Sequence, residues 1–481
     1  MKKSITYIKR FISLAIFISV LFGCLWYLNT VLIPKRADGI TTMQNLYAQE
    51  ENTIDVLLLG SSRNGMNFDV SVLWDEFGMS GYSLWGSVQP FWNSYFSLKE
   101  ALKTQTPSVV VLDTFASTLR MEHSDYSRQV TNVSGMKFSL NKLEAICVSA
   151  HFDRWDDLLL GTPLYHQRYS SLTENDFSHF PWTEGLINDK GTSYRYGTGE
   201  IDVVDVSEIT ELGEITEKEK SYLIKIIELC KEKDIPLVLT ATPTGRRVDD
   251  QPYYNSVAKI AEEYGVDFIN FNLMDEEIGF VADDYWTDND HLNTNGSRKI
   301  SRYLGEYIDS KYDIADHRGD AAYESWDVFS SQIRENYLKM ITAPDDLLAE
   351  IERYNMEAVV IKNTDGDTGV SESVSAGLEN LGIDTLRFND CKQGVWYLKS
   401  TDGKYTAEEI QIVGNTAKYV CCSGTGDVVF NGDSVSCSFP CEISENNKND
   451  VTVLIFNPDM PHKSNVVAME NINSNVIRHI K

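Results

Sequence analysis

Between Phe11 and Ile33 the chain runs 23 residues without a charge, FISLAIFISVLFGCLWYLNTVLI. As a helix this is long enough to cross a hydrocarbon core roughly 30 Å thick. The run predicts a transmembrane helix over 11–33, preceded by a tail over 1–10 and followed by a polar stalk over 34–53. From Ile54 a different rhythm begins. Short apolar runs at Ile54–Leu59, Tyr82–Trp85 and Ser108–Leu112 alternate with helical patterns at Val70–Phe77 and Phe91–Lys103. Such alternation signals a parallel sheet covered on both faces.

The rhythm pauses over 116–213, where aromatic and polar residues mix without strong periodicity. An excursion of this length inside an α/β unit reads as an insertion carrying a lid or binding surface. It resumes with a helix opened by a capping-box pattern at Thr216 and Glu219, with Leu223, Ile226, Ile227 and Cys230 on one face. Strands at Pro236–Ala241 and Val266–Asn270, a helix at Asn255–Tyr264 and a last helix at Thr294–Ile308 complete the unit. The expectation is a doubly wound, five-stranded parallel α/β sheet over 54–312. A polar linker is expected at 313–323. Over 324–481 the pattern gives helices at Asp345–Tyr354 and Val370–Leu381, a strand at Ala358–Ile361 and then β-like pieces, hence an α+β or β-rich accessory domain. No internal repeat or low-complexity tract is visible.

Charge narrows the partners. With 71 acidic and 43 basic residues the formal net charge is -28, which repels nucleic-acid phosphates and anionic bilayer surfaces. Lys2, Lys3, Lys9 and Arg10 precede the apolar run while Lys35 and Arg36 follow it closely, so the positive-inside bias places the N-terminus in the cytoplasm and the bulk of the chain outside. A cleaved signal peptide is the alternative, but the apolar run is longer than a usual h-region and has no clean small-x-small exit. Leu21-Phe22-Gly23-Cys24 has the outline of a lipoprotein cleavage site, yet Phe22 is bulky for that role and the apolar run continues past Cys24. Five of the eight cysteines, Cys391, Cys421, Cys422, Cys437 and Cys441, fall in the last hundred residues. Outside the membrane a disulfide is permitted there, with the pairing open.

The chemistry concentrates at two places. The first strand ends in Gly60-Ser61-Ser62-Arg63, which delivers a serine to the C-terminal edge of the sheet, where open α/β sheets bind ligands. A serine between strand and helix also faces backbone N–H groups suited to a developing oxyanion. Ahead of the last helix stands Thr287-Asp288-Asn289-Asp290-His291-Leu292-Asn293. An Asp three residues before a His lets the carboxylate reach Nδ1 while Nε2 meets a serine from elsewhere, the division of labour of a Ser-His-Asp triad. Asp290 is the rival orienting carboxylate, but a residue adjacent to the histidine points elsewhere, so Asp288 is preferred. Each element alone also reads as ordinary turn and cap chemistry.

Together the two ends, 229 residues apart, resemble the SGNH (GDSL-like) hydrolase superfamily over roughly Ile54 to Tyr312. In that family the first block is Gly-Asp-Ser, here with Ser61 in place of the aspartate and Ser62 at the nucleophile; Asp288, His291, Asn293 and Gly296 match the last block. The resemblance implies an SGNH/flavodoxin-like sheet, a catalytic triad of Ser62, Asp288 and His291, and an oxyanion hole. For the hole, Ser62 and Gly86 fit, but the Gly-x-Asn-Asp block is replaced by Leu112-Asp113-Thr114, leaving Thr114 as substitute. No cofactor or metal is implied.

The membrane helix, the Gly-Ser-Ser block and the long insertion further resemble the membrane-anchored branch that includes the teichoic-acid D-alanyl transfer protein and polysaccharide O-acetylation proteins. Tyr165-His166-Gln167-Arg168-Tyr169 with Asn175-Asp176-Phe177 is similar to segments of such proteins, which makes His166 and Arg168 candidate substrate contacts. The branch implies a serine O-acyltransferase acting on an envelope polysaccharide, with the acyl group supplied by a membrane-bound O-acyltransferase. An esterase of the same polymers and a non-catalytic glycan-binding or assembly protein are the alternatives.

In the C-terminal part, Glu357–Ile361 and Ala376–Ile383 resemble the interleukin-like EMT-inducer domain, which implies a carbohydrate-binding fold; a spacer or partner-docking domain fits as well. Asn363-Thr364-Asp365-Gly366-Asp367 lacks the ligand spacing of a calcium loop, and Asn132-Val133-Ser134 is a glycosylation sequon only in a host that performs that modification.

Overall fold

The computed structural model describes residues 2–32, 38–160, 166–178, 190–199, 201–364, 370–401, 403–432, 434–438, 443–446, 450–458, 464–469 and 477–480. The chain divides into two compact units, 1–330 and 331–481.

Helix α1 (Lys2–Leu32) contains an apolar span, Tyr7–Leu32, of mean hydropathy 2.3, exposed over most of its length and buried at Val31 and Leu32. It is long and apolar enough to cross a membrane, a criterion that a signal sequence also meets. The expected stalk is not one over its described residues. Helix α2 (Gly39–Leu46) puts Ile40, Met43 and Leu46, spaced three apart on one face, into the core. Each such side chain contributes on the order of 1.5–3 kcal/mol by leaving water. Thr42 donates its hydroxyl to the Trp85 carbonyl at 2.9 Å, and its backbone carbonyl accepts from the Tyr82 hydroxyl at 2.5 Å. The polar residues of this stretch masked a helix that belongs to the domain.

The first unit is built on a five-stranded parallel sheet: β1 (Val56–Gly60), β2 (Gly81–Trp85), β3 (Val109–Asp113), β4 (Leu237–Ala241) and β5 (Asp267–Asn270) in the order β2-β1-β3-β4-β5. Strands β1 to β4 are buried at every position, which is why their sequences are near-continuous apolar runs with no alternation. From β1 the chain winds to one side into β2 and then back across to β3. The reversal point therefore lies between the C-terminal ends of β1 and β3, at Gly60 and Asp113.

Helices flank the sheet. Helix α3 (Ser62–Asn67) follows β1 directly, α4 (Val70–Phe77) is capped by Asp69 and stopped by Gly78, and α5 (Phe91–Ala101) follows β2. Helix Glu217–Glu232 buries Leu223, Ile226, Ile227 and Cys230 as its spacing predicts. Its capping box is only half formed. Thr216 Oγ1 accepts from the Glu219 N–H, but the Glu219 carboxylate reaches away to the Phe91 N–H at 2.8 Å, capping α5, whose own N-cap residue is Pro90. Helix Arg247–Tyr264 starts two turns earlier than its apolar pattern suggests and runs through Pro252. The last helix, Thr294–Lys311, is capped by Asn293 Oδ1 on the Gly296 N–H.

The expected linker is docked on the same unit. His317 donates its backbone N–H to the Gly78 carbonyl and stacks on Tyr323 at 4.0 Å, while Trp326 is fully buried with its Nε1 on the Gly81 carbonyl. The division between units therefore falls inside helix Glu324–Leu338, later than the expected boundary at 324.

The second unit is α+β. One sheet joins β6 (Glu357–Asn363), β7 (Gln393–Thr401), β8 (Lys404–Glu409), β13 (Asp450–Phe456), β14 (Ser464–Met469) and β15 (Ile477–Ile480) in the order β15-β14-β13-β6-β7-β8. The other joins β9 (Thr416–Cys421), β10 (Gly424–Asn431), β11 (Ser434–Cys437) and β12 (Ile443–Asn446) in the order β12-β11-β10-β9; all pairings are antiparallel. Alternate residues of β6 serve two cores: Ala358 and Val360 pack with the helical residues Leu347, Ile351 and Leu378, Val359 and Ile361 with Tyr419, Val428 and Phe430 of the smaller sheet. Cys391, Cys421 and Cys422 are free thiols, and Cys441 and the calcium-like turn from 365 lie outside the described residues.

Candidate active site

The site begins with a turn that only glycine fits. Gly60 ends β1 at φ +150°, and a Cβ there would stand 2.7 Å from the Asp113 Cβ. The close approach lets Asp113, at the end of β3, grip the next residue: its Oδ2 accepts from Ser61 Oγ at 2.6 Å and from the Ser61 N–H at 3.3 Å, while Oδ1 accepts from the Phe115 N–H. Burial raises the Asp113 carboxyl, against the hydrogen bonds from Ser61 and the charge of Arg63. Ser61 in turn caps α3 through its Oγ on the Arg63 N–H. Ser62 is thereby set as the first residue of a helix, where its own N–H has no intrahelical acceptor.

Ser62 Oγ lies 2.9 Å from His291 Nε2, and His291 Nδ1 lies 2.6 Å from Asp288 Oδ2. With the Asp288 carboxylate ionised, Nδ1 carries the proton and donates it, leaving Nε2 to accept from the serine hydroxyl. Asp288 has a second task. Its Oδ1 accepts from the backbone N–H groups of Asp290 and His291, folding the loop so that the imidazole stands over its own carboxylate. The loop closes on the Tyr285–Leu292 bridge and on the bond from the Trp286 N–H to the His291 carbonyl.

Two residues not singled out in the sequence hold these halves together. Asn67, at the end of α3, accepts from the Leu292 N–H at 2.9 Å and donates to Thr242 Oγ1 at 2.8 Å. Arg63, next to Ser62 and almost wholly buried, donates Nη1 to Asp250 at 3.0 Å and to the Tyr254 hydroxyl at 2.8 Å, and lies over the Phe115 ring at 4.2 Å. Its Nη2 faces Asp290 at 3.5 Å. Burial would pull the guanidinium down, but Tyr254, Asp250, Asp113 and Asp290 outweigh it and hold Arg63 above its ordinary value. Asp290 is thus turned toward Arg63 while Asp288 meets the histidine.

The other candidates are placed differently. The Gly86 N–H, expected at the oxyanion hole, donates to the Gly60 carbonyl at 3.2 Å as the last rung of the β1–β2 pairing. Thr114 directs both its N–H and its hydroxyl to the Thr240 carbonyl, each at 2.8 Å, tying β3 to β4. Both donors are engaged within the sheet, and of the three expected donors only the Ser62 N–H has no hydrogen-bond acceptor among the described residues. Beside Gly86, Val88 adopts φ +46°, an unusual value for a β-branched residue and a strained point at the rim of the sheet. Arg168, expected as a substrate contact, donates Nη1 to the Leu32 carbonyl at the end of α1 at 2.5 Å and Nη2 to Asp176 at 2.6 Å. The His166 side chain lies outside the described residues.

No family model matches the chain, and no curated protein matches its sequence. Among solved structures it is similar to a “putative acylhydrolase” from Bacteroides fragilis, at 11% identity over 55% of this chain and 89% of that one, with a TM-score of 0.27. A likeness that slight carries no argument about the chemistry, which rests on the geometry above.

Proposed function

We propose that the protein is an extracytoplasmic serine O-acyltransferase of the SGNH type, held to the membrane by α1, that modifies a cell-envelope polysaccharide. The observation that carries this reading is the hydrogen-bonded chain Ser62–His291–Asp288 at the point where the parallel sheet reverses its winding. His291 Nε2 takes the hydroxyl proton as Ser62 Oγ attacks an acyl carbonyl. The Ser62 N–H meets the developing oxyanion, and the imidazolium returns the proton to the leaving oxygen or sulfur, giving an acyl-serine. A polymer hydroxyl then repeats the sequence in reverse: His291 deprotonates it, it attacks the ester, and Ser62 recovers its proton. With Gly86 and Thr114 committed elsewhere the hole has few expected donors, and loss of one donor costs roughly 10²–10³ in rate; that suits a dedicated transfer better than a fast general esterase. The basic residues ahead of the apolar run, Lys2, Lys3, Lys9 and Arg10, support a cytoplasmic N-terminus, and a membrane-bound O-acyltransferase is the proposed source of the acyl group.

The test is fluorophosphonate labelling of the full-length protein beside a Ser62→Ala control. Labelling is expected in the wild type alone, and a folded wild-type protein that does not label removes every enzymatic reading. Mass analysis of envelope polymers from cells lacking the protein then separates the chemistries: fewer acyl groups mark a transferase, more mark an esterase.

A further inference from the structure

Residues 190–199, in the latter part of the insertion, return across the site as a strap. It is fixed on both halves of the candidate triad: the Ser193 N–H donates to the Gly65 carbonyl in α3, the Arg195 carbonyl accepts from both the N–H and the hydroxyl of Thr294 at the head of the last helix, and the Gly199 N–H donates to the Tyr285 carbonyl at the base of the histidine loop. Tyr194 adds a bond from its hydroxyl to Asp69. A segment held at so many points presents its side chains in fixed places.

One of them is Arg195. Its guanidinium lies over the Trp286 ring at 5.1 Å, and Trp286 is half-buried and belongs to the loop that carries Asp288 and His291. Nη1 is held by Ser193 Oγ at 2.8 Å and by the Tyr194 carbonyl at 3.0 Å, so the head group is oriented. Nε is buried with no hydrogen-bond partner among the described residues, and Arg195 makes no ion pair among them. Burial lowers its pKa while the charge of Asp288 opposes that, which sets the cation within the field of the triad carboxylate without pairing to it. In a chain of net charge -28, an oriented guanidinium without a carboxylate partner among the described residues, stacked on an aromatic ring of the loop that carries Asp288 and His291, has the chemistry of an anion receptor.

We infer that Arg195 and Trp286 form an acceptor subsite for an oxyanion-bearing polymer unit, a sugar or polyol carrying a phosphate or a carboxylate, with the anion on Nη2 of Arg195 and the carbon skeleton against Trp286. This rests on the acyl-transfer reading and adds the substrate's charge to it: the strap would seat a negatively charged repeat so that a neighbouring hydroxyl faces the acyl-serine.

The experiment is direct binding to the full-length protein in detergent, titrating glycerol 1-phosphate and glucuronate, with glycerol and glucose as neutral counterparts, against wild type, Ser62→Ala and Arg195→Gln. At least one anion is expected to bind wild type and Ser62→Ala alike, at least tenfold more weakly to Arg195→Gln, and to weaken with added salt; whichever anion binds names the polymer class. Because Arg195→Gln could fail to fold, phenylglyoxal modification of wild-type Arg195, read by mass spectrometry, gives a second measure: the bound anion should slow it at least threefold. Equal binding of the neutral counterparts, undiminished binding to a folded Arg195→Gln, or modification of Arg195 at the same rate with and without anion would overturn the subsite. Binding of the anion by a protein that fluorophosphonate does not label would remove the acyl-transfer reading and leave the subsite standing.

Discussion

Glu219 offers the most quantitative test of how this fold is held. It is fully buried at the start of helix Glu217–Glu232, with one carboxylate oxygen on the Phe91 N–H at the head of α5 and the other without a partner among the described residues. Two effects oppose each other. Burial favours the neutral acid, while the N–H of Phe91 and the charge of Lys218 favour the carboxylate; burial wins and lifts the pKa from 4.5 to about 8. The unfolded chain loses this proton near 4.5 and the native protein keeps it to about 8. Stability from this group is therefore fully present below pH 4.5, is lost as pH rises toward 8, and is level above that. The full difference corresponds to a ceiling of ~5 kcal/mol, which structural relaxation and water entry reduce; a working figure is about 2–3 kcal/mol. Glu219→Gln keeps an acceptor for Phe91 and cannot ionise. In detergent, urea unfolding followed by tryptophan fluorescence should give matching midpoints for the two proteins at pH 4.5 and a clearly higher midpoint for Glu219→Gln at pH 8.5. Parallel curves across that range, or a less stable Glu219→Gln at pH 8.5, would show that the helix ends hold a native carboxylate and that the burial argument is wrong.

Two further substitutions probe the site. Asp288→Asn removes the acceptor that fixes the Nδ1 proton and should slow the fluorophosphonate reaction by about 10⁴, whereas Asp290→Asn, which loses only a 3.5 Å pairing with Arg63 at a side chain 40% exposed, should change it less than about tenfold; the reverse order would reassign the orienting carboxylate. Arg63→Met leaves Asp250, whose side chain is 2% exposed, without its cation and should cost about 3–5 kcal/mol in thermal or urea unfolding. Most of that loss should return in the double variant Arg63→Met, Asp250→Leu, and a double variant no better than the single one would mean that the network is held by Tyr254 and Phe115 instead.

The parallel sheet was legible because its strands are buried on both faces, and that constraint leaves near-pure apolar runs such as Val56–Leu59 and Val109–Leu112. What escaped was structure whose stabilising contacts are distant in sequence. Helix α2 carries three apolar residues in a polar stretch, and its partners are Tyr82 and Trp85 on β2. The first turns of helix Arg247–Tyr264 carry Asp249, Asp250 and Pro252, which read locally as a turn; the helix extends there because Asp250 and Tyr254 bind Arg63, 187 and 191 residues away. The segment 313–323 is acidic and polar, yet His317 and Tyr323 stack onto the unit beneath them.

The site divides along the same line. Ser62, Asp288 and His291 were visible because Asp288 and His291 are neighbours in one loop and Ser62 ends a strand that announces itself. The oxyanion candidates were not decidable, since whether an N–H is free depends on the partner strand: Gly86 and Thr114 sit at the correct strand ends, and their donors are taken by Gly60 and Thr240. Arg63 and Arg195 had no local pattern at all. The first acquires its meaning from Asp250 and Tyr254 of helix Arg247–Tyr264, the second from an aperiodic insertion in which 190–199 is pinned to both α3 and the last helix. An insertion of this kind cannot contribute to the sheet, so its backbone polar groups must find partners elsewhere. Those of 190–199 find them on the two elements that carry the nucleophile and the base, and the same bonds that satisfy the strap carry a cation to the rim of the triad.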